Sequence, residues 1–320
     1  MADTRSTTRP HLQRVEKRAA RNEQPSPALR REMRPAAPDV LNRILTVLRS
    51  GTGHDFFHYK KMAIGRSIEW RMSQLEIEDA EIYAHYLEAH PAEVQRLLND
   101  LLINVTRFFR DPEAFATLKQ DILPQLFADK PKRSVFRVWV AGCASGEESY
   151  SIAMLLRELM DETGQELKVQ LYSTDLDQDA IAVARAGTYP PDIVHHVEPA
   201  RLQRFFVKGK TGYRVKKEIR DMAAFSVRNV ITDAPFKRLD LVSCRNLMIY
   251  LEPQVQRRLI RTFQSALRPG GALLLSPSES IGTHSELFAP LCREWRIYRS
   301  TRAAAPAHSA TAARREKDDP

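Results

Sequence analysis

The feature that most constrains the fold is a change of pattern after residue 131, where short apolar strands begin to alternate with helices. Residues 136–141 (FRVWVA) and 169–174 (VQLYST) are typical of buried strands, and helices are predicted over 148–160 and from about Asp177. Such an alternation predicts a mostly parallel sheet with helices on both faces. The expected fold is therefore α/β, with a doubly wound, Rossmann-like sheet.

Three further strands and a long helix continue this alternation. The strands are expected at 223–227, 239–244 and 272–276, and the amphipathic helix at 253–267, where a Pro-Gly-Gly turn follows. Residues 188–222 interrupt the rhythm. Within them, the segments RFFVK and YRVK flank a Gly-Lys-Thr-Gly turn, which predicts a small antiparallel β-subdomain inserted into the sheet domain.

The chain before the sheet domain has a helical pattern, because its apolar residues recur at helix spacing up to about residue 103. The two ends of the chain lack a sustained apolar period and are rich in Arg, Ala, Pro, Ser and Thr, so both are predicted to be disordered. The predicted domains, in chain order, are a disordered basic tail at 1–37, a small all-helical domain at 38–107, the sheet domain at 108–300 and a disordered tail at 301–320.

The net charge of +9 would suit a nucleic-acid ligand, but most of the surplus lies in the tails. Residues 1–37 hold nine Arg/Lys against four Asp/Glu, and residues 301–320 hold four against three, which leaves a surplus of three for the interior. We therefore expect no nucleic-acid ligand for the folded domains. A loose contact with nucleic acid or with an acidic partner is expected at the N-terminal tail.

Composition also argues against several classes of protein. The longest apolar runs are far shorter than a bilayer span, and the first residues (MADTRSTTRP) contain no apolar segment of a secretory signal. Cys143, Cys244 and Cys292 lie about fifty or more residues apart, which suits neither a disulfide framework nor a zinc site. We expect a cytoplasmic protein without membrane insertion and without a metal.

The first strand of the sheet domain ends in a loop of small residues that also carries two acids, AGCASGEE at 141–148. Ligands of doubly wound sheets bind beyond the carboxyl ends of the strands, where glycines let a ligand approach the backbone. The loop lacks the glycine patterns of phosphate binders, and its acids would repel a phosphate. A cationic nucleoside without phosphate fits better, and S-adenosylmethionine is the common one. Alternatively, Glu147 and Glu148 only favour the N-terminus of the next helix.

The second strand ends in Thr-Asp-Leu-Asp at 174–177. An acid at this position accepts hydrogen bonds from ribose hydroxyls in such folds, and Asp is also a favoured helix N-cap. Both roles can hold at once, with Asp175 on the ribose and Asp177 as the cap. The loop and this acid together favour a nucleoside cofactor.

Two further segments carry polar residues at positions that suit a ligand. The strand at 239–244 is followed by Arg245, Asn246 and Tyr250 in place of the Asn-Pro-Pro-Tyr motif of base N-methyltransferases, so base methylation loses support. The segment 104–112 (NVTRFFRDP) joins the two domains. It is either a lid over a cofactor or a capped helix start with its two Phe side chains in the core.

Taken together, these residues closely resemble the chemotaxis receptor methyltransferase family, the CheR type, from about residue 39 to 299. The resemblance implies a protein-glutamate O-methyltransferase that uses S-adenosylmethionine, releases S-adenosylhomocysteine and methylates glutamates on the cytoplasmic helices of chemoreceptors. Six segments carry it: DFFHYKKMAIGRSIEWRM at 55–72, NVTRFFRDP at 104–112, AGCASGEESYSIAM at 141–154, TDLD at 174–177, LVSCRNLMIYL at 241–251 and LRPGGALLLSPSES at 267–280.

The resemblance also implies the site residues. Arg110 and Tyr250 match positions that place the substrate or take part in catalysis. Glu147 is an alternative to Glu148 as the acidic contact. The positions that match cofactor contacts are Asn104, Thr106, Arg110, Glu148, Asp175, Asn229, Val230 (where the family has Leu), Arg245 and Asn246.

The expected partners are the cytoplasmic domains of chemoreceptors. A basic helix at 58–72 is either a docking surface for their glutamate-rich helices or a solvated charged face. Its basic residues are Lys60, Lys61, Arg66 and Arg71. In some family members the inserted hairpin captures a C-terminal receptor peptide by strand addition. Here the hairpin link is short, so we expect a monomeric enzyme that does not depend on this tether. The alternatives are a catalytically silent adaptor that senses S-adenosylmethionine, and a methyltransferase for another substrate.

Overall fold

The computed structural model describes residues 38–128, 130–131 and 134–301, so the predicted tails, apart from Thr301, lie outside the described residues. The chain divides into two compact units between Val105 and Thr106, close to the predicted domain boundary. We refer to them as the helical unit and the sheet unit.

The helical unit packs amphipathic helices around a core in which Ile44, Tyr83 and Leu97 are fully shielded from solvent. Asp79 caps the third helix by accepting from the backbone N–H groups of the next turn. The predicted all-helical domain is confirmed. Its helices are α1 (Pro38–Thr52), α2 (Lys61–Gln74), α3 (Ala80–Ala89) and α4 (Pro91–Leu101). The second helix begins at Lys61 and not at residue 58, because the preceding residues form a turn in which the Tyr59 N–H donates to the Phe56 carbonyl (3.0 Å).

Arg71, one residue of the predicted basic docking surface, forms an ion pair within the helical unit. The Arg71 guanidinium donates to both carboxylate oxygens of Glu93 at 2.7 Å, and the Glu93 side chain is only 1% exposed. A buried carboxylate needs such a partner, because an unpaired charge in the interior is costly. Arg71 therefore drops out of the docking surface, whereas Lys61 and Arg66 remain exposed on α2.

The sheet unit contains a seven-stranded sheet and a separate three-stranded sheet. The strands are β1 (Val135–Ala141), β2 (Lys168–Asp175), β3 (Thr188–Tyr189), β4 (Phe206–Lys208), β5 (Tyr213–Val215), β6 (Ala223–Val227), β7 (Leu239–Cys244), β8 (Leu267–Leu275), β9 (Phe288–Cys292) and β10 (Ile297–Ser300). The large sheet has the order β6-β2-β1-β7-β8-β10-β9. Its first five strands are parallel, and β10 and β9 add an antiparallel end. The predicted doubly wound sheet is confirmed, with β9 and β10 as an addition.

Helices cover the sheet, and one helical region, at 112–128, differs from the prediction. The sequence does not predict helices over 112–128, where Pro124 cannot donate to the carbonyl of residue 120. The chain accommodates Pro124 through a π-helical turn, closed by the Leu123 N–H on the Leu118 carbonyl. The helices are α5 (Pro112–Thr117), the π turn (Leu118–Ile122), α6 (Leu123–Ala128), α7 (Glu147–Thr163), α8 (Gln178–Ala186), α9 (Pro199–Phe205), α10 (Lys217–Arg220) and α11 (Pro253–Ala266), with 3₁₀ turns at Pro191–His195 and Met248–Tyr250. In the described ranges no helix is both long and apolar enough to cross a membrane.

The small antiparallel sheet has the order β3-β5-β4 and lies between α8 and β6 in the chain. The predicted hairpin forms from β4 and β5, and β3 adds a third strand. Gly212 closes the hairpin with a φ of +152°, and a Cβ at this position would lie 2.0 Å from the Tyr189 carbonyl oxygen. Only glycine can hold this turn against β3 without moving the backbone.

We expect Gly212→Ala to lower the free energy of unfolding by roughly 2–4 kcal/mol, because the new methyl group forces two backbone segments apart. Urea unfolding of the full chain measures this change. Gly209→Ala is the matched control, since its Cβ would make only an ordinary 3.5 Å contact with the Gly212 oxygen. Equal stability of the two variants would contradict this account of the turn.

Candidate functional site

A tight loop connects the carboxyl end of β1 to α7. Its backbone reaches the left-handed region at Gly142 (φ +77°), Ala144 (φ +45°) and Gly146 (φ +95°). The N–H groups of Gly142 and Cys143 donate to the Thr174 carbonyl at 2.8 and 3.0 Å, which fixes the loop to the end of β2. The loop therefore lies beyond adjacent strand ends, where ligands of parallel sheets bind.

Asp175 and Asp177 take separate roles at the end of β2. The Asp175 carboxylate accepts from the Ala144 N–H at 2.8 Å and from the Asp177 N–H at 3.0 Å. Burial raises the pKa of Asp175, and these backbone donors oppose the rise. Asp177 caps α8 through the N–H groups of Asp179 and Ala180, as the sequence predicts. Each oxygen of Asp175 still has a lone pair for a ligand hydroxyl.

Glu148 contacts the end of β7. Its carboxylate accepts from the Ser243 hydroxyl at 2.7 Å and pairs with the Arg245 guanidinium at 3.4 Å. Burial raises the pKa of Glu148, while the charges of Arg245 and Arg110 lower it. Glu148 therefore lies near cationic side chains, on the side of the loop that faces β7.

Glu147 lies in a different environment. The Ser145 hydroxyl contacts both of its carboxylate oxygens, at 2.9 and 2.7 Å, and burial raises its pKa to about 7. The Tyr189 hydroxyl donates to the Ser145 carbonyl at 2.7 Å, which connects this side of the loop to the small sheet. The two adjacent acids thus belong to opposite sides of the loop.

Arg245 is the central cation of the site. Its side chain is fully buried, and it donates to the Asp111 carboxylate at 2.6 Å and to the Arg110 carbonyl at 2.9 Å, in addition to its pairing with Glu148. The guanidinium lies over the Phe115 ring, with the carbon 5.2 Å from the centroid. Arg245 thus connects the segment before α5 to the start of α7.

Glu279 is a buried residue that the sequence does not single out. Its carboxylate accepts from the N–H groups of Asn246 (3.0 Å), Met248 (2.8 Å) and Ser276 (3.0 Å), and from the Ser276 hydroxyl (2.8 Å). Asn246 has a left-handed φ of +58°, a conformation that this carboxylate stabilises. The one feature of the sequence that points to Glu279 is its spacing: it follows Ser276, at the end of a predicted strand, by three residues.

The remaining predicted residues occupy four places. Thr106 and Arg110 are half-buried in the segment before α5, and Tyr250 is half-buried at the end of a 3₁₀ turn after β7. Asn229 and Val230 follow β6, where the Asn229 side chain accepts from the Ile231 N–H at 2.8 Å. Asn104 is half-buried in the helical unit.

The two phenylalanines of the junction segment lie in the core. Phe108 is 1% exposed and Phe109 is 6% exposed. The Phe108 ring packs edge-on against the rings of Tyr189 and Phe206, with centroids 4.8 and 5.4 Å away. They anchor this segment to the sheet unit and to its small sheet.

Comparison with protein families agrees with this arrangement. A model described as the SAM binding domain of CheR methyltransferase matches residues 104–297, and one described as the all-alpha domain of CheR methyltransferase matches residues 39–102. The two matches together cover most of the chain. This chain belongs to the CheR methyltransferase family. The predicted cofactor, S-adenosylmethionine, and the predicted methyltransferase class are therefore confirmed.

Several relatives of this CheR family member carry names that agree. The chemotaxis protein methyltransferase of Borreliella burgdorferi is 30% identical over 78% of this chain and 90% of its own length, and that of Escherichia coli K12 is 31% identical over 70% and 77%. A Rhodobacter capsulatus protein described as an uncharacterized 104.1 kDa protein in the hypE 3'region is 35% identical over 82% of this chain. The match spans only 28% of that longer protein.

The site of this CheR protein suits a cationic nucleoside. Asp175 and Glu148 both have pKa values raised by burial, so a cation or further donors beside them would favour their charged forms. Within the described residues, no group of three or more His, Cys, Asp or Glu side chains is placed to hold a metal ion. The Asp175 and Glu148 carboxylates, which can accept from hydroxyl groups and face a positive charge, suit S-adenosylmethionine.

We expect Glu279→Gln to weaken binding of S-adenosylhomocysteine by about tenfold, because a Gln side chain turns its amide toward backbone N–H groups and leaves at least one unpaired. Isothermal titration calorimetry measures this change. Glu294→Gln, an exposed residue between β9 and β10, is the control of equal charge. Unchanged affinity in the Glu279 variant would show that this carboxylate does not organise the cofactor site.

Proposed function

We propose that this protein transfers the methyl group of S-adenosylmethionine to glutamate side chains on the cytoplasmic helices of chemoreceptors, forming glutamate 5-O-methyl esters in chemotaxis adaptation. The observation that carries the proposal is a cation beside the cofactor acid. Arg110 is half-buried, and Arg245, which pairs with Glu148 at 3.4 Å, donates to the Arg110 carbonyl at 2.9 Å. A guanidinium in this position suits a carboxylate substrate.

The family relatives support the same substrate class. The Borreliella and Escherichia coli proteins are named chemotaxis protein methyltransferases, and this chain spans most of each of them. The expected location is the cytoplasm, where the methylated receptor helices lie.

The chemistry requires little from the protein beyond positioning. A glutamate carboxylate has a pKa of about 4.3, so it is ionised at neutral pH and needs no general base. The bound cofactor supplies an electrophilic methyl group on a sulfonium. Arg110 orients one carboxylate oxygen, and Tyr250 donates a hydrogen bond that helps to align the substrate. Orientation of the reactants and exclusion of water can lower the activation free energy by roughly 7–11 kcal/mol.

The proposed cofactor contacts come from the family resemblance, and the contacts of Glu147 and Glu148 support a choice between these two acids. Glu148 is the acidic contact in preference to Glu147, because Glu148 faces β7 and Arg245, whereas Glu147 is bonded within the loop to Ser145. Asp175 accepts from the ribose, and Arg245 holds Glu148 in place. The other proposed contacts are Asn104, Thr106 and Arg110 over the cofactor, Asn229 and Val230 near the adenine, and Asn246.

We propose that the receptor helices dock on the exposed cations of α2, with Lys61 and Arg66 as the main contacts and without Arg71. The hairpin between β4 and β5 turns within residues 209–212. We keep the prediction of a monomer that does not depend on a peptide tether, since this turn leaves little room for a peptide-binding extension.

Methyl transfer to receptors tests the proposed function directly. Full-length protein is incubated with radiolabelled S-adenosylmethionine and cytoplasmic fragments of the chemoreceptors of the host, and the label is tested for lability in base. We expect base-labile label on glutamate. Cofactor binding without transfer to any receptor would favour the silent adaptor, and base-stable label on another substrate would contradict the proposed acceptor.

We expect Arg110→Ala to lower turnover at least about tenfold while cofactor affinity changes less, because Arg110 acts mainly on the substrate carboxylate. Steady-state kinetics and calorimetry with S-adenosylhomocysteine separate the two effects. Arg107→Ala removes an exposed Arg three positions earlier and serves as the control. Equal losses of turnover and cofactor affinity would contradict the substrate role.

A further inference from the structure

A concave site lies at the amino ends of the strands of the large sheet, whereas Glu148 and Asp175 lie at their carboxyl ends. It is a cavity of about 870 Å³ at the amino ends of β1, β7 and β8. Five of its lining residues are cationic. These are Lys130, Arg137, Lys237, Arg238 and Arg268. We propose that this cavity binds a small polyanion that carries two or more phosphate groups.

Part of the positive charge is neutralised by a buried acid. Asp240, on β7, is fully buried and pairs with Lys130 at 2.7 Å and with Arg268. The backbone N–H of Arg137 donates to its second oxygen at 2.8 Å. The acid thus holds two of the cations in place, and its charge can offset only one of them.

Three cations of the cavity keep their charge available. Among the residues that the structure describes, Arg137, Lys237 and Arg238 form no ion pair. Arg137 is half-buried, and Lys237 and Arg238 are exposed. Clustered like charges repel one another, and concave, low-dielectric walls strengthen the field that they produce. An anion in the cavity would relieve this repulsion, which is what favours a ligand here.

The lining favours phosphate groups in a small molecule. The guanidinium groups of Arg137 and Arg238 and the ammonium group of Lys237 match the several oxygens of linked phosphates. The volume falls within the range of sites for small molecules, about 300–1,000 Å³. The apolar surfaces of Val135, Leu267 and Pro269 leave room for a non-phosphate part of the ligand.

This site is separate from the cofactor site. β1 extends from Val135 at the cavity to Ala141 at the glycine loop, and a strand of that length spans about 20 Å. Occupancy of the cofactor site therefore leaves the cavity open to its own ligand, and the inference does not rest on the proposed methyl transfer.

The test is calorimetric titration of full-length protein with tripolyphosphate, in the presence of saturating S-adenosylhomocysteine so that the cofactor site is closed to competitors. We expect one binding event that weakens as salt is added. The double variant Arg137→Gln/Lys237→Gln should bind at least about tenfold more weakly, because two charge-assisted contacts are lost. The single variant Lys237→Gln changes only an exposed residue and should show part of this loss if the double variant is unstable.

The matched control is Arg257→Gln/Arg261→Gln, which removes the same charge from the exposed face of α11. We expect it to bind tripolyphosphate as the unaltered protein does. Equal weakening in both double variants, or no binding to the unaltered protein, would overturn the site. A poly-glutamate peptide that competes as well as tripolyphosphate would overturn the phosphate assignment.

Titration with ATP under the same conditions identifies the non-phosphate part. Tighter binding of ATP than of tripolyphosphate would support a nucleotide whose base packs on the apolar wall. Equal affinities would support recognition of the phosphates alone.

Discussion

The site depends on the ion pairs that the buried guanidinium of Arg245 forms with Asp111 and Glu148. A fully buried charge is costly unless acids and carbonyls surround it. Arg245 obtains these from Asp111, the Arg110 carbonyl and Glu148, which belong to segments far apart in the chain. The cation therefore fixes the segment before α5 against the start of α7 and the end of β7. Any residue that acts on a ligand from these segments does so from a position that Arg245 has set.

Two carboxylates of the site have different kinds of partner. Glu148 shares the charge of Arg245, whereas Glu279 accepts only from neutral donors and holds the backbone on either side of Asn246 and Met248. The first can change its electrostatic state when a cationic ligand arrives. The second determines the course of the chain after β7. Separate acids thus pair with the cation and hold the backbone after β7.

The sequence predicts most of the sheet, since β1, β7 and most of β8 are buried and appear as apolar runs bounded by turns. Asp177 as a cap and Asp175 at a strand end also follow from local rules. Glu279 and the Arg71–Glu93 pair do not, because each depends on a partner distant in sequence. The helices over 112–128 are missed for a local reason, a proline that the chain accommodates with a π turn. The roles of the site residues toward ligands are carried by the resemblance alone.

β7 shows how one strand can present opposite charge at its two ends. Its amino end carries Asp240, a buried acid held by Lys130 and Arg268, and its carboxyl end leads into Arg245, a buried cation held by acids. A buried charge needs opposite charges beside it. Cations therefore surround Asp240 at the amino ends of the strands, and acids surround Arg245 beyond their carboxyl ends. The proposed sites for a cationic cofactor and for an anionic ligand lie at these two ends of the strands. The two sites differ because the buried charge at the amino end of β7 is the acid Asp240, whereas the buried charge after its carboxyl end is the cation Arg245.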